Sequence, residues 1–212
     1  MVITISREYM AGGSGVAGRV ADALGWTVVD DALITAVAER SGFTPEDVKS
    51  LEESVPSFME RFAQSSALSS PENLLSTPNA IDGPATIKLA HVTREVIEEL
   101  GRRDRLVFVG RAAAAVLASE RNAIHVRLVA PLEYRVQEAM RQLEIGEEEA
   151  RSAVEERDHG RARYHKELFG RDWSDPVNYH LVLNTEILGK QGAAELVVAR
   201  ARSLGWSQDR RG

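Results

Sequence analysis

A chain of 212 residues with 43% hydrophobic and 27% charged residues is sized for one globular domain with a substantial core and room for an inserted lobe. The formal net charge of −6 argues against a non-specific binder of nucleic acid polymers. The absence of cysteine excludes disulfides and thiolate metal sites and fits a reducing cytoplasm. No basic segment leading into an apolar stretch stands at the start, so neither a signal peptide nor a membrane span is expected.

Val2-Ile3-Thr4-Ile5 is a β-branched apolar run that predicts a buried strand. Ser14–Leu24 follows as a helix with Val16, Val20, Ala21 and Leu24 on one face and Gly25 past its end. A short strand over Trp26–Val29 stops at Asp30-Asp31, and a helix over Ala32–Arg40 stops near Gly42. Thr44-Pro45-Glu46-Asp47 is a helix start, with Thr44 to cap and Pro45 at the first helical position. Pro56 is expected to begin a short helix through Phe58, Met59 and Phe62, and Gln64–Pro84, rich in Ser, Pro and Asn, reads as a mobile loop. A helix is predicted over Ala85–Leu100, with Ile87, Ala90, Val92, Val96, Ile97 and Leu100 on its apolar side. Leu106–Val109 reads as a strand covered on both faces, Arg111–Leu117 as a short helix, and Ala123–Val129 as the next strand. Helices over Pro131–Leu143 and Glu147 to about Phe169, a strand at Leu181–Leu183, a helix over Gln191–Leu204 and a frayed polar tail after Trp206 complete the chain.

Strands alternating with helices imply an α/β fold: a five-stranded, mainly parallel sheet with helices on both faces. The core is assigned to 1–31, 101–143 and 177–206. The stretch from about 32 to 100 holds helices without a strand and reads as an inserted acceptor-binding lobe. Residues from about 144 to 176, helical and charged, read as a lid.

The first strand runs into Arg7-Glu8-Tyr9-Met10-Ala11-Gly12-Gly13-Ser14, which has the length of the phosphate loop G-x-x-x-x-G-K-[ST]. Gly12 and Ser14 match, Arg7 stands at the first glycine, and Gly13 stands where the lysine belongs. Such a turn aims successive N–H groups of Met10, Ala11, Gly12, Gly13, Ser14 and Gly15 inward, and the helix behind adds its positive end, so polyphosphate is the favoured ligand. Ser14 can offer its hydroxyl to Mg²⁺. Arg7 either reaches phosphate in place of the lysine or pairs with Glu8 or another acid. The four lysines of the chain, Lys49, Lys88, Lys166 and Lys190, all lie away from this turn in the sequence. Gly13-x-Gly15-x-x-Gly18 also matches a dinucleotide fingerprint, but the spacing to the strand and to Asp30 suits that fold less well. A plain turn that lets a helix pack closely on the sheet is the third reading.

Other candidates sit where strands end. Asp30 and Asp31 follow the second strand, at the crevice where ligands bind in open α/β sheets, and are read as holding a metal's water shell or a sugar hydroxyl, with at least one expected to cap the next helix. Arg111 follows the Leu106–Val109 strand and suits a bidentate monophosphate contact, with a buried ion pair as the duller role. Arg157, Arg161 and His165 share one helix face, and this cationic cluster, with Arg163 close by, either neutralises a phosphoryl group in transit or is a solvated face paired with Glu155, Glu156 and Glu167. His159 and His165 lack partners at metal spacing, so no zinc site is read.

The runs Ile3-Thr4-Ile5-Ser6-Arg7-Glu8-Tyr9, Val29-Asp30-Asp31, Val109-Gly110-Arg111, Val126-Arg127-Leu128-Val129-Ala130-Pro131, Arg161-Ala162-Arg163-Tyr164, Phe169-Gly170-Arg171-Asp172-Trp173 and Tyr179–Thr185 resemble the cytidylate kinase-like family of P-loop nucleoside monophosphate kinases. The resemblance implies a three-layer P-loop NTPase-type core with monophosphate-binding and lid insertions. It also implies transfer of the γ-phosphoryl group of ATP, with Mg²⁺, to a CMP-like acceptor. By position, Gly12, Gly13 and Ser14 would hold donor phosphates, Asp30 and Arg111 would face the acceptor, and Arg157, Arg161 and Arg163 would lie in the lid. The chain departs from cytidylate kinases at Gly13, where they carry the loop lysine, and at Ala112, where they carry an aspartate. A nucleotide-binding regulator without catalysis and a kinase of a non-nucleotide small molecule are the alternatives. Nucleotides are the expected partners, and a homo-oligomer stays open.

Overall fold

In the computed structural model, which describes residues 1–53 and 84–206, the chain alternates strands and helices along almost its whole described length. The elements are β1 (Val2–Arg7), α1 (Gly13–Leu24), β2 (Thr27–Val29), α2 (Asp31–Ser41), α3 (Pro45–Glu53), α4 (Pro84–Gly101), β3 (Leu106–Val109), α5 (Ala113–Val116), β4 (Ala123–Val129), α6 (Leu132–Leu143), α7 (Glu147–Phe169), β5 (Leu181–Asn184) and α8 (Thr185–Ser203). The five strands form one parallel sheet in the order β2-β3-β1-β4-β5. This is an α/β fold with helices on both faces of a parallel sheet. The expected helix from Pro56, the Gln64–Pro84 loop short of its last residue, and the tail after Trp206 lie outside the described residues.

Strand alternation divides the core into two layers. Ile3 and Ile5 of β1, Val107 and Val109 of β3, and Ile124, Val126 and Leu128 of β4 face α1 and α8, where Val16, Val20, Leu24, Ala194 and Val197 are buried against them. Val2 and Phe108 face the other way, toward Leu33, Val37, Leu89, Ile97 and Tyr164. A third cluster, Val136, Ala139, Ala150 and Val154, joins α6 to α7 and carries Tyr9 and Met10 against it. The chain leaves β1 toward β2 on one side, and β4 leads to β5 on the other, so the carboxyl end of central β1 opens on the crevice of the sheet.

Differences from the sequence expectation are local. Ile87 is 54% exposed, and the buried side of α4 runs through Leu89, Ala90, Thr93, Val96 and Ile97 instead. The short helix after β3 begins only at Ala113, because Arg111 (φ 55°) and Ala112 (φ 53°) both sit in the left-handed region. Thr44 caps α3 as expected: its hydroxyl accepts the Asp47 N–H at 3.2 Å, while the Asp47 carboxylate accepts the Thr44 N–H at 3.1 Å. The last helix starts at Thr185, where the Asn184 side chain accepts from the N–H groups of Glu186 and Ile187, and it is broken at Gly189.

Candidate active site

Residues 8–12 join β1 to α1, which starts at Gly13, one residue earlier than expected. Met10 (φ 63°) and Gly12 (φ 79°) take left-handed conformations that turn the chain into the helix, and Gly12 precedes the first residue of α1 without a side-chain cap. The first N–H groups of α1 are therefore left for a ligand. They open on a cleft of about 280 Å³ lined by Arg7, Glu8, Tyr9, Met10, Gly12, Gly13, Ser14, Gly15, Gln142, Arg161 and Lys190.

The glycines are required by what crosses them. A methyl group on Gly13 would lie 2.8 Å from Arg7 Cγ, so the Arg7 stem occupies the space into which a loop lysine would project. A methyl on Gly12 would lie 2.8 Å from Lys190 Cε, and one on Gly15 would lie 3.2 Å from Lys190 Cδ. Lys190, remote from the turn in the sequence, is thus laid across it in space. Sequence reading missed this residue, because only the packing of α8 on α1 brings it there.

Glu8 is held by other arginines. Its carboxylate accepts the Ala130 N–H at 3.0 Å and lies 3.4 Å from both Arg127 and Arg135, two guanidinium groups buried to 5% and 9% exposure. Arg135 also pairs with Asp158, whose other oxygen accepts the Tyr9 N–H at 2.8 Å. This network pins the segment just before the glycines to β4, α6 and α7. Ser6 extends it: its Oγ accepts the Trp173 indole N–H at 2.9 Å. Arg127 stacks 4.1 Å from the Trp173 ring and donates to the Trp173 carbonyl at 2.7 Å. Glu8, Arg127, Arg135, Asp158 and Trp173 were not singled out as site residues. Their signal was the apolar-flanked charges Arg127 and Arg135, placed where a two-sided buried strand and an inward helix face should carry none.

Arg157 and Arg161 stay on one face, both over the Tyr9 ring, while Arg163 lies apart from them. Arg161 is buried, donates to the Arg7 carbonyl at 3.2 Å and lines the cleft. Arg157 stacks on the Tyr9 ring at 4.5 Å, behind the cleft wall. Arg163 is exposed and lies 3.7 Å from Glu167, on another side of α7. His165 is buried beside Tyr164, Phe169 and Trp173. Ala11 is buried behind the turn.

Asp30, Asp31 and Arg111 lie beyond the lining of this cleft, at the ends of β2 and β3. Asp30 occupies the position before α2, yet its side chain makes no capping hydrogen bond. Asp31 sits within the first turn, where a carboxylate meets the positive helix end. The capping role expected of one of them is therefore not a side-chain hydrogen bond. Arg111 is buried and donates to the carbonyls of Val48 at 2.7 Å and Lys49 at 3.2 Å, joining β3 to α3. The exposed Ser14 hydroxyl at the cleft fits a ligand to Mg²⁺, an ion that takes its remaining ligands from phosphate and water. Among the described residues no group of three or more His, Asp or Glu side chains converges as a metal cage, and no helix is long and apolar enough to cross a membrane.

The model of the cytidylate kinase-like family matches residues 2–187. The chain belongs to that family. It is 32% identical over 113 residues to a cytidylate kinase of Methanopyrus kandleri, a match that covers 46% of this chain and 58% of that protein. An uncharacterized protein from Eubacterium ventriosum has the same fold, with a TM-score of 0.68 at 17% identity, over 96% of this chain and 99% of that one. A shikimate kinase from Bacteroides thetaiotaomicron aligns with a TM-score of 0.53 at 13% identity, over 96% and 97% of the two chains. Membership of this family makes the chain a kinase-like protein.

Proposed function

We propose that the protein transfers the γ-phosphoryl group of ATP, with Mg²⁺, to a nucleoside monophosphate, with a CMP-like molecule as acceptor. One observation carries this reading: Arg7, Arg161 and Lys190 border a cleft floored by the N-terminal amides of α1, while Glu8, the one acid among its described lining residues, is engaged by Arg127 and Arg135. A polyanion is the ligand that such a cleft favours.

In this scheme the amides from Met10 to Gly15 hold the donor phosphates, and Ser14 would hold Mg²⁺, which would supply neutralising charge to them. Arg7 and Arg161 balance the charge that spreads over the γ-phosphoryl group as its bond to the leaving ADP breaks. A phosphate oxygen of the acceptor forms the new bond, and positioning does most of the work. Arg157 backs the Tyr9 wall, and Arg163 meets solvent until the segment from 144 to 176 closes as a lid. Asp30 and Asp31 contact the acceptor, and Arg111 ties α3 to the end of β3. Ala112, where cytidylate kinases are expected to carry an aspartate, favours a second reading, a nucleotide-binding regulator.

Single-turnover transfer from labelled ATP to a panel of monophosphates tests the proposal. Transfer to CMP or UMP is expected. Tight ATP binding with no transfer to any acceptor selects the regulator. Arg7→Ala is expected to weaken ATP binding by about tenfold, the worth of one charge-assisted hydrogen bond, and an unchanged affinity and rate removes Arg7 from the donor site.

A further inference from the structure

We propose that Lys190 is the donor-phosphate lysine of this protein, delivered from α8 to replace the one absent at position 13; the proposal rests on the donor reading of the cleft given above. Position 13 cannot carry that lysine, because the Arg7 stem fills the space in front of it. The loop has a second side-chain-free surface at Gly12 and Gly15, and the Lys190 stem runs along both. A lysine stem stretched over the opening residues of α1 keeps its ammonium at the mouth where a phosphate chain meets the helix amides. It also lines the same cleft as Arg7, Ser14 and Arg161.

The fold holds Lys190 there. Lys190, Ala194, Val197 and Ala201 follow one stripe of α8, and the last three are buried against the sheet and α1. At the far ends of the same two helices Trp26 packs on Trp206, with ring centroids 5.8 Å apart. The helices therefore run side by side in parallel, and Lys190 stands level with the start of α1. Gly189 makes the placement possible: its φ of 64° and ψ of 169° break α8 and start a new helical segment at Lys190. Among the described residues no carboxylate forms an ion pair with Lys190, in contrast to Glu8 deeper in the cleft, whose charge is met by Arg127 and Arg135. A lysine held over bare helix amides without an acid partner is placed for an anion.

Calorimetric titration of the full-length protein with ATP, ADP and AMP in the presence of Mg²⁺ tests this. Lys190→Met keeps the stem and removes the charge, and Lys190→Arg restores a cation. Lys190→Met is expected to weaken ATP and ADP by about tenfold or more, to change AMP by less than about threefold, and to leave the melting temperature in place, with Lys190→Arg recovering most of the loss. A merely structural role would not distinguish ATP from AMP, nor be rescued by arginine. If Lys190→Met binds ATP as the wild type does, the proposal for Lys190 fails while the donor cleft stands. If the wild type takes no triphosphate at all, the cleft reading fails and this inference falls with it.

Discussion

Glu8 shows how much of this site depends on single side chains that no ligand is expected to touch. Its carboxylate stands between Arg127 and Arg135, both nearly inaccessible to solvent. Removing the charge leaves Arg127 with the Trp173 carbonyl and ring as neutral partners, and leaves Arg135 dependent on Asp158. An uncompensated buried guanidinium is costly, because the protein interior replaces its hydration poorly. Glu8→Gln is therefore expected to lower stability by about 3 kcal/mol in urea unfolding, the low end for breaking a buried pair. The exposed Arg151–Glu133 pair is the comparison, and Glu133→Gln should leave the unfolding midpoint where it is. Equal midpoints for wild type and Glu8→Gln would mean that the network contributes no stability. Helix geometry also accounts for the separation of the arginines. Residues 157 and 161 lie four apart and share a face, whereas residue 163 is turned about 200° from 161. The spacing was legible in the sequence; grouping Arg163 with the other two followed the family motif instead.

Elements were more legible than contacts. The strands of the sheet, the long helices and the capped start of α3 follow from apolar periodicity and from turn residues, which act over a few positions and are complete in the local sequence. The glycines, Ser14 and Arg7 were found because a phosphate loop is also local. Lys190 was not, because its place depends on α8 lying beside α1, and the Glu8 network was not, because it joins β1, β4, α6 and α7. The break in α8 stands between these cases: Gly189 was passed over as a residue before the helix, although it is what aims Lys190. Its backbone conformation belongs to a region that essentially only glycine occupies, and a Cβ there would meet nothing within 4 Å. Substitution is therefore a test of conformation without a steric clash. Gly189→Ala is expected to lower stability by about 1–3 kcal/mol, or to drive the break into regular helix. Where the break becomes regular helix, Lys190 is displaced and ATP affinity should fall with it. Unfolding curves together with ATP titration check this, and unchanged values for both would show that the kink has no part in placing the lysine.

Across the whole molecule, the second face of the central sheet carries a polar column through a largely apolar core. Thr4 and His125 are paired across β1 and β4, and Ser6 and Arg127 are the next pair on the same face. The upper pair grips Trp173 and so ties the segment after α7 to the strand that carries Arg7. In the lower pair, the Thr4 hydroxyl lies 2.8 Å from His125 Nδ1, and the His180 ring stacks on His125 at 5.0 Å. Burial pushes the His125 pKa down to about 4, helped by the nearby His180 and Arg171, with the Leu117 carbonyl pulling the other way. In the unfolded chain the imidazole titrates near its ordinary value of 6.5. Above pH 6.5 it is neutral in both states and stability is insensitive to it. Between pH 6.5 and about 4 the unfolded state binds the additional proton, so stability falls by up to about 1.4 kcal/mol per pH unit, about 3 kcal/mol in all. Below that window both states are protonated and the contribution stops changing. The carboxyls of Glu99, held down by Arg40, and of Asp172, held down by Ser174, lose their preference for the folded state only as pH drops below about 4.5. Urea unfolding at pH 7 and pH 4.5 should therefore show a fall of about 2.5 kcal/mol in the wild type that is largely absent in His125→Gln. An identical fall in the variant would place the acid sensitivity elsewhere. In the folded chain His125 takes its proton only near pH 4, so Trp173 fluorescence, isolated by Phe at Trp26 and Trp206, is expected to stay level down to about pH 4 and to change below it.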